Sequence, residues 1–219
     1  MTLETLEFTT APQPQASVIV LHGLGADGND FVPVAQMMDA GVGVRYVFPH
    51  APMMPVTINN GHVMRAWYDI RHADLAQRED EAGLRASKER VAALVAREIE
   101  RGIPSEKIVL MGFSQGCAMT LLTGLRLPHR LAGLVGMSGY LPLPETTAQE
   151  RNPANQDTPV FLGHGTADPV VPIGRAIASR DLLQQLGYPV QWHEYPIPHS
   201  VSPEEIADIE AFLRQVLKD

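Results

Sequence analysis

Gly112-Phe113-Ser114-Gln115-Gly116 sets a serine between two glycines, the spacing of a nucleophile elbow, in which a sharp strand-to-helix turn pushes a hydroxyl out of the backbone. In a chain with 18 glycines the bare pattern is a weak signal, and its flanks give it weight. Ile108-Val109-Leu110-Met111 reads as a buried strand, and Gly116-Cys117-Ala118 as the start of a helix that packs closely. A serine hydroxyl needs a base and the base an orienting carboxylate, which follow such an elbow in the order Ser, Asp or Glu, His. Asp168 lies just past the strand Val160-Phe161-Leu162, at the sheet edge from which Ser114 also emerges. Asp157 precedes that strand and Asp181 falls within a helical stretch, so neither reaches the edge. Of the two histidines after Asp168, His193 belongs to the strand Val190–Tyr195. His199 sits in the stiff loop Pro196-Ile197-Pro198-His199-Ser200, and is the candidate base. The chemistry of such a set is acyl transfer.

An acyl-transfer site also needs two backbone N–H groups for the developing oxyanion, one after the nucleophile and one from the loop after an early strand. Gln115 supplies the first, and the glycine turn His22-Gly23-Leu24-Gly25 offers Leu24 as the second, with His22 read as a structural histidine bonded to loop backbone. Two rival motifs fall away. Asp27-Gly28-Asn29 opens like a calcium loop, but Val32 and Met38 stand where the loop needs glycine and an acid, so no metal is expected. Gly23 to Gly28 fits a dinucleotide fingerprint, yet the serine constellation accounts for the same glycines. Met53, Met54, Met64 and Trp67 are candidates for lining a groove beside the acyl site, with local core packing as the competing reading.

The elements that must position these residues follow from patterning. Of the runs Val18–Leu21, Val44–Phe48, Ile108–Met111, Leu131–Met137 and Val160–Leu162, most are apolar throughout, as in strands of a mainly parallel sheet covered by helices on both faces. Helices are expected over Glu79–Arg101, Gln115–Leu125, Ile173–Leu186 and, behind the capping box Ser202-Pro203-Glu204-Glu205, to the end of the chain. Pro49–Asp74 and Leu141–Thr158 lack periodicity and are expected to be irregular surface loops. With 219 residues, no linker and no internal repeat, one domain over 1–219 is expected.

Composition narrows the function classes. Seventeen basic against twenty-five acidic residues give a net charge of −8, which disfavours nucleic acid and anionic membranes as partners. Cys117 is the only cysteine, so an intrachain disulfide and a thiolate metal cluster are excluded and a reducing compartment fits. Glu4 and Glu7 stand where a signal peptide would be basic and apolar, and no long apolar stretch occurs; a cytoplasmic protein without membrane insertion is expected.

Taken in order, His22 to Gly28, Pro49-His50-Ala51-Pro52, Pro55-Val56-Thr57, Trp67-Tyr68-Asp69-Ile70, Gly112 to Gly116, Ser138-Gly139-Tyr140, Asp168-Pro169-Val170-Val171-Pro172 and His199-Ser200 resemble the phospholipase/carboxylesterase group of α/β-hydrolases. Met64-Arg65-Ala66-Trp67-Tyr68 departs from the Met-Pro-Ser-Trp-Phe of the eukaryotic protein thioesterases and looks like the bacterial esterase branch. The resemblance implies an α/β-hydrolase fold without a large lid domain, and Ser114, Asp168 and His199 as triad with Leu24 and Gln115 as oxyanion donors. It also implies Ile70 and Val170 near the acyl chain, no cofactor, a small acyl ester as partner and, since some members pair, a possible homodimer. The expected activity is a serine carboxylesterase cleaving short to medium acyl esters, with thioesters or lysophospholipids as further substrates. A serine peptidase is disfavoured because no extra domain or charged specificity pocket is evident, and a non-catalytic receptor because all three triad candidates are present.

Overall fold

A computed structural model describes residues 3–72 and 79–218. Ala73 and Asp74, at the end of the first expected loop, and Met1 and Thr2 of the N-terminal segment lie outside the described residues. In chain order the elements are β1 (Thr5–Thr9), β2 (Ala16–Leu21), α1 (Val32–Met37), β3 (Val44–Pro49), β4 (Met53–Val56), β5 (His62–Arg65) and α2 (Glu81–Glu100). There follow β6 (Ile108–Phe113), α3 (Gln115–Gly124), β7 (Gly133–Met137), α4 (Pro144–Glu150), β8 (Val160–Gly165), α5 (Ile173–Gln185), β9 (Val190–Tyr195) and α6 (Pro203–Leu217).

Among the described residues seven strands form one sheet in the order β1-β3-β2-β6-β7-β8-β9. Only β1, an edge strand, runs antiparallel to its neighbour, pairing Thr5 with Pro49 through Thr9 with Arg45 of β3. All other pairings within this sheet are parallel. The uniformly apolar strands divide their side chains between two cores. Ile19 and Leu21 of β2 join Leu110 of β6 in a cluster with Leu84, Val91 and Leu94 of α2 and Leu121 of α3. Val18 and Val20 point the other way, with Val109 and Met111 of β6, to pack on Ala35 of α1 and on Ile209, Phe212 and Leu213 of α6. Alternate residues thus enter opposite faces, and both faces are covered.

Two expectations are corrected here. The segment after Pro49 is not irregular: β4 and β5 form an antiparallel hairpin with Met53 opposite Arg65 and Val56 opposite His62. Its turn runs through Asn60 and Gly61, both left-handed at φ 54° and 74°, an Asn-Gly signal the periodicity test passes over. Nor is that segment all surface, since Ala66, Trp67 and Tyr68 behind the hairpin are buried. In Leu141–Thr158 the prolines do not prevent regular structure. Pro144 occupies the first turn of α4, where its missing N–H costs nothing, and Leu141 and Leu143 are buried.

The topology gathers the chemistry at one edge. Ser114 follows β6, His22 follows β2, Asp168 comes after β8 and His199 after β9, all beyond the carboxyl ends of parallel strands, where open α/β sheets place their ligands.

Below the His199 loop lies a buried acid. Glu205, in the first turn of α6, is fully buried, and its carboxyl sits so close to Gly163 of β8 that a Cβ there would come 2.4 Å from Oε1. Burial pushes its pKa up to about 8 from an ordinary 4.5, against the backbone N–H of Ser202, which favours the anion; nearby Asp208 adds to the rise. Between those two values the folded chain holds a proton the unfolded chain releases, so stability falls as pH rises through that window. Glu205→Gln is expected to remove this slope. Urea denaturation at both ends of the window should show wild type losing more stability toward the alkaline end than the variant does, and parallel losses would contradict it.

Candidate active site

Ser114 is held in a strained conformation, φ 55° and ψ −117°, which costs on the order of 1–3 kcal/mol and aims the hydroxyl away from the sheet. Crowding around the elbow explains both glycines. A Cβ on Gly112 would lie 2.2 Å from the Gly116 carbonyl oxygen, and one on Gly116 would lie 2.0 Å from the Leu21 carbonyl oxygen. Without side chains at these positions α3 starts directly against the end of β2.

Ser114 Oγ lies 3.0 Å from Nε2 of His199, and Nδ1 of the same ring lies 2.7 Å from Oδ2 of Asp168. Since a carboxylate only accepts, Nδ1 carries the proton and donates it to Asp168. The Nε2 lone pair then faces the serine hydroxyl, which donates to it. Asp168 is oriented in turn. Its Oδ1 accepts from the backbone N–H groups of Val170 and Val171 at 2.8 and 2.9 Å, which turns Oδ2 toward His199. The His199 loop is tied to the loop carrying Asp168, because Ala167 N–H donates to the Ile197 carbonyl and Thr166 N–H to the Tyr195 carbonyl. His164 flanks the carboxylate, its Nε2 2.9 Å from the Val171 carbonyl oxygen and 3.5 Å from Asp168 Oδ2, and burial lowers its pKa so that it stays neutral.

His193 lies apart from this chain of contacts. Its ring stacks on Phe161 at 4.7 Å and its Nδ1 is 3.3 Å from Asp208 of α6.

Gln115 is the first residue of α3, where a backbone N–H has no intrahelical acceptor. Gly23 packs on the elbow: a Cβ there would stand 3.4 Å from Ser114 Cβ, which brings the Leu24 backbone to the same cavity wall as Gln115. His22 fixes this loop. Ala51 N–H donates to its Nε2 at 3.0 Å, so Nδ1 bears the proton and donates to the Gly23 carbonyl at 2.7 Å. Burial lowers the His22 pKa and keeps the ring neutral.

The structure gives Trp67 a different place from the groove expected for it. The side chain is 1% exposed and absent from the cavity lining, and its indole N–H donates to the His22 carbonyl at 2.9 Å. It therefore braces the turn that carries Leu24. Ile70 and Val170 do line the cavity, Val170 at its open rim with 57% exposure. Met53 is exposed on the hairpin outside the lining, and so is Val63.

One contributor had no signal in the sequence. The Gln115 side chain accepts from Trp67 N–H at 2.9 Å and donates to the Tyr68 carbonyl at 2.7 Å. This clasps the segment behind the hairpin to the residue that directly follows the serine. The Tyr68 and Tyr140 hydroxyls, 2.9 Å apart, complete the inner wall. The whole cavity measures about 500 Å³. Among the described residues no group of three or more His, Cys, Asp or Glu side chains is arranged to hold a metal ion, and no helix is long and apolar enough to cross a membrane.

Comparison with known proteins agrees with this geometry. The Phospholipase/Carboxylesterase family matches residues 8–217. Acyl-protein thioesterase 1 of Gibberella zeae is 42% identical over 97% of this chain and 95% of its own length. That of Yarrowia lipolytica is 40% identical over 93% of each. Among solved structures, SOBER1 of Arabidopsis thaliana superposes with a TM-score of 0.88 at 31% identity, covering 93% of this chain and 99% of that one. Acyl-protein thioesterase 2 of Zea mays gives a TM-score of 0.85 at 28% identity over 97% and 99%. With an elbow serine at the carboxyl edge of a mostly parallel sheet, and with a family match that runs through nearly its whole length, the chain belongs to the phospholipase/carboxylesterase family of α/β-hydrolases.

Proposed function

We propose that this protein is a serine hydrolase of carboxylic esters and thioesters working through an acyl-enzyme, with Ser114 as nucleophile, His199 as base and Asp168 as its orienting carboxylate. The observation that carries the reading is the continuous chain of contacts from Asp168 through His199 to Ser114. Ser114 Oγ attacks the acyl carbonyl carbon while its proton passes to His199 Nε2, and the carbonyl oxygen becomes an oxyanion facing the Leu24 and Gln115 N–H groups. The tetrahedral species collapses, the C–O or C–S bond breaks, and the departing alkoxide or thiolate takes the proton from His199. Water then repeats the sequence, giving its proton to His199, forming the acid and restoring the Ser114 hydroxyl. Asp168 stays ionised, stabilising the imidazolium that forms twice in each cycle.

A cavity of about 500 Å³ open at the Val170 rim suits a short to medium acyl chain, and the thioesterase names of the relatives extend the substrate class to thioesters. A small acyl ester is the expected partner, in a cytoplasmic protein that acts alone or as a homodimer and needs no cofactor. The test is covalent labelling. A fluorophosphonate should modify Ser114 in the folded wild type, because only an activated hydroxyl attacks phosphorus at a useful rate, and the same protein should cleave p-nitrophenyl and acyl thioester substrates. Label mapping to another serine, or no label on folded protein, would overturn the assignment.

A further inference from the structure

Tyr68 and Tyr140 reach the cavity from different parts of the chain, Tyr68 from the segment behind the β4–β5 hairpin and Tyr140 from the loop after β7. Their hydroxyls lie 2.9 Å apart. Two phenols carry two O–H protons, and the bond between them uses one. Among the described residues neither oxygen has another hydrogen-bond partner, so the second proton is available to whatever occupies the cavity.

The surroundings show why that proton stays in place. The Arg175 guanidinium lies 3.9 Å over the Tyr140 ring and polarises that phenol; either hydroxyl can donate in the bond between them, and the other O–H is left for the occupant of the cavity. Both rings are immobilised. Tyr68 is clasped through its carbonyl by the Gln115 side chain. Next to Tyr140, Leu141 N–H donates to Ser179 Oγ at 2.8 Å, and that hydroxyl donates to the Arg175 carbonyl. Burial raises both phenol pKa values, that of Tyr140 to about 12, so both groups stay protonated donors. Glu79 stands 3.8 Å from Arg175 and balances its charge, so the wall recruits a neutral acceptor rather than an anion. Tyr68 and Tyr140 are 2% and 4% exposed, at the closed end of the site. The leaving group must depart past His199 toward solvent, which assigns the phenol wall to the acyl chain.

We propose that the Tyr68–Tyr140 pair is a specificity-determining wall that selects acyl chains carrying a neutral oxygen acceptor, such as an ether, keto or hydroxyl group, over plain hydrocarbon chains. A plain chain would cover the remaining O–H and leave it without an acceptor, whereas an oxygen placed against it supplies one. This inference rests on the esterase reading.

The experiment compares the p-nitrophenyl ester of a straight-chain acid with isosteric analogues. In these, each methylene beyond the β-carbon is replaced in turn by an ether oxygen. The ratio of kcat/KM between the two substrates, read within one protein, cancels losses common to both. Wild type should favour the ether by on the order of tenfold at one position along the chain, and Y68F/Y140F, which conserves ring volume, should bring that ratio to within about twofold of one. Y68F and Y140F each leave a single phenol O–H at a different place in the wall and serve in place of the double variant if that fails to fold: in at least one of them the ratio should fall or its maximum move along the chain, and an unchanged ratio at the same position in both overturns the proposal. No preference at any position in wild type, or a preference that survives in the double variant, overturns the proposal while leaving hydrolysis of the plain ester intact. If neither esters nor thioesters are cleaved at all, the esterase reading fails and takes this inference with it.

Discussion

His199→Ala is expected to lower kcat by a factor on the order of 10⁴ to 10⁶, the largest effect of any single substitution considered for this chain. The imidazole touches both Ser114 Oγ, at 3.0 Å, and Asp168, at 2.7 Å, so its removal takes away the proton acceptor and isolates the carboxylate at once. Asp168 is then left with Oδ2 buried beside only the neutral His164 at 3.5 Å, which costs about 1–3 kcal/mol of stability. The comparison must therefore be made at equal folded concentration, with a thermal melt to establish it. His193→Ala is the control. That ring stacks on Phe161 and meets Asp208, far from any proton in transit, and its loss should leave kcat within about tenfold with a modest drop in stability. An active His199→Ala beside an inactive His193→Ala would reverse the roles assigned to the two histidines.

Gly116→Ala is expected to damage stability and activity together. The added methyl would sit 2.0 Å from the Leu21 carbonyl oxygen, 2.6 Å from its carbon and 2.8 Å from the His22 carbonyl oxygen. All three are backbone atoms at the end of a central strand, so no side chain can swing aside, and the start of α3 must move off β2. Overpacking of this kind costs about 1–3 kcal/mol or more. The same displacement separates the Gln115 N–H from the Leu24 loop. A misplacement of about 1 Å between groups that must act together lowers kcat/KM by on the order of 10²-fold. Gly174→Ala separates the steric effect from a general intolerance of alanine: nothing lies within 4 Å of the added carbon in α5, so stability should hold or rise by up to about 1 kcal/mol. Calorimetry and steady-state kinetics on both variants check the pair. A Gly116→Ala protein as stable and active as wild type would mean that the close approach of α3 to β2 is dispensable.

Much of this molecule is written in short-range pattern. Val18 to Leu21 and Ile108 to Met111 are apolar at every position because each strand feeds two cores, and that is readable without coordinates. The last helix is equally legible, since Ser202 does accept from Glu205 N–H at 3.2 Å and Ile209, Phe212 and Leu213 fall on one face. Residue type and chain order alone singled out Ser114, Asp168 and His199, because a strained elbow needs glycines on both sides and a base must stand on a loop that can reach over it. The β4–β5 hairpin and α4 lay hidden for a local reason. Strands of four residues are too short for periodicity to register, and proline is read as a breaker even at a helix start, where it fits. Other features needed the tertiary structure. In the sequence Trp67 reads as a groove-lining or core-packing aromatic, and only the structure shows its indole donating to the His22 carbonyl, 45 residues away. The Gln115 clasp spans 47 and 48 residues, and the Tyr68–Tyr140 pair spans 72. Spacing in a chain records which face of an element a residue occupies. It holds no record of which distant element that face will meet, because that is decided by how whole helices and strands pack to fill a common core, and only then do two phenols or an indole and a carbonyl come within bonding distance.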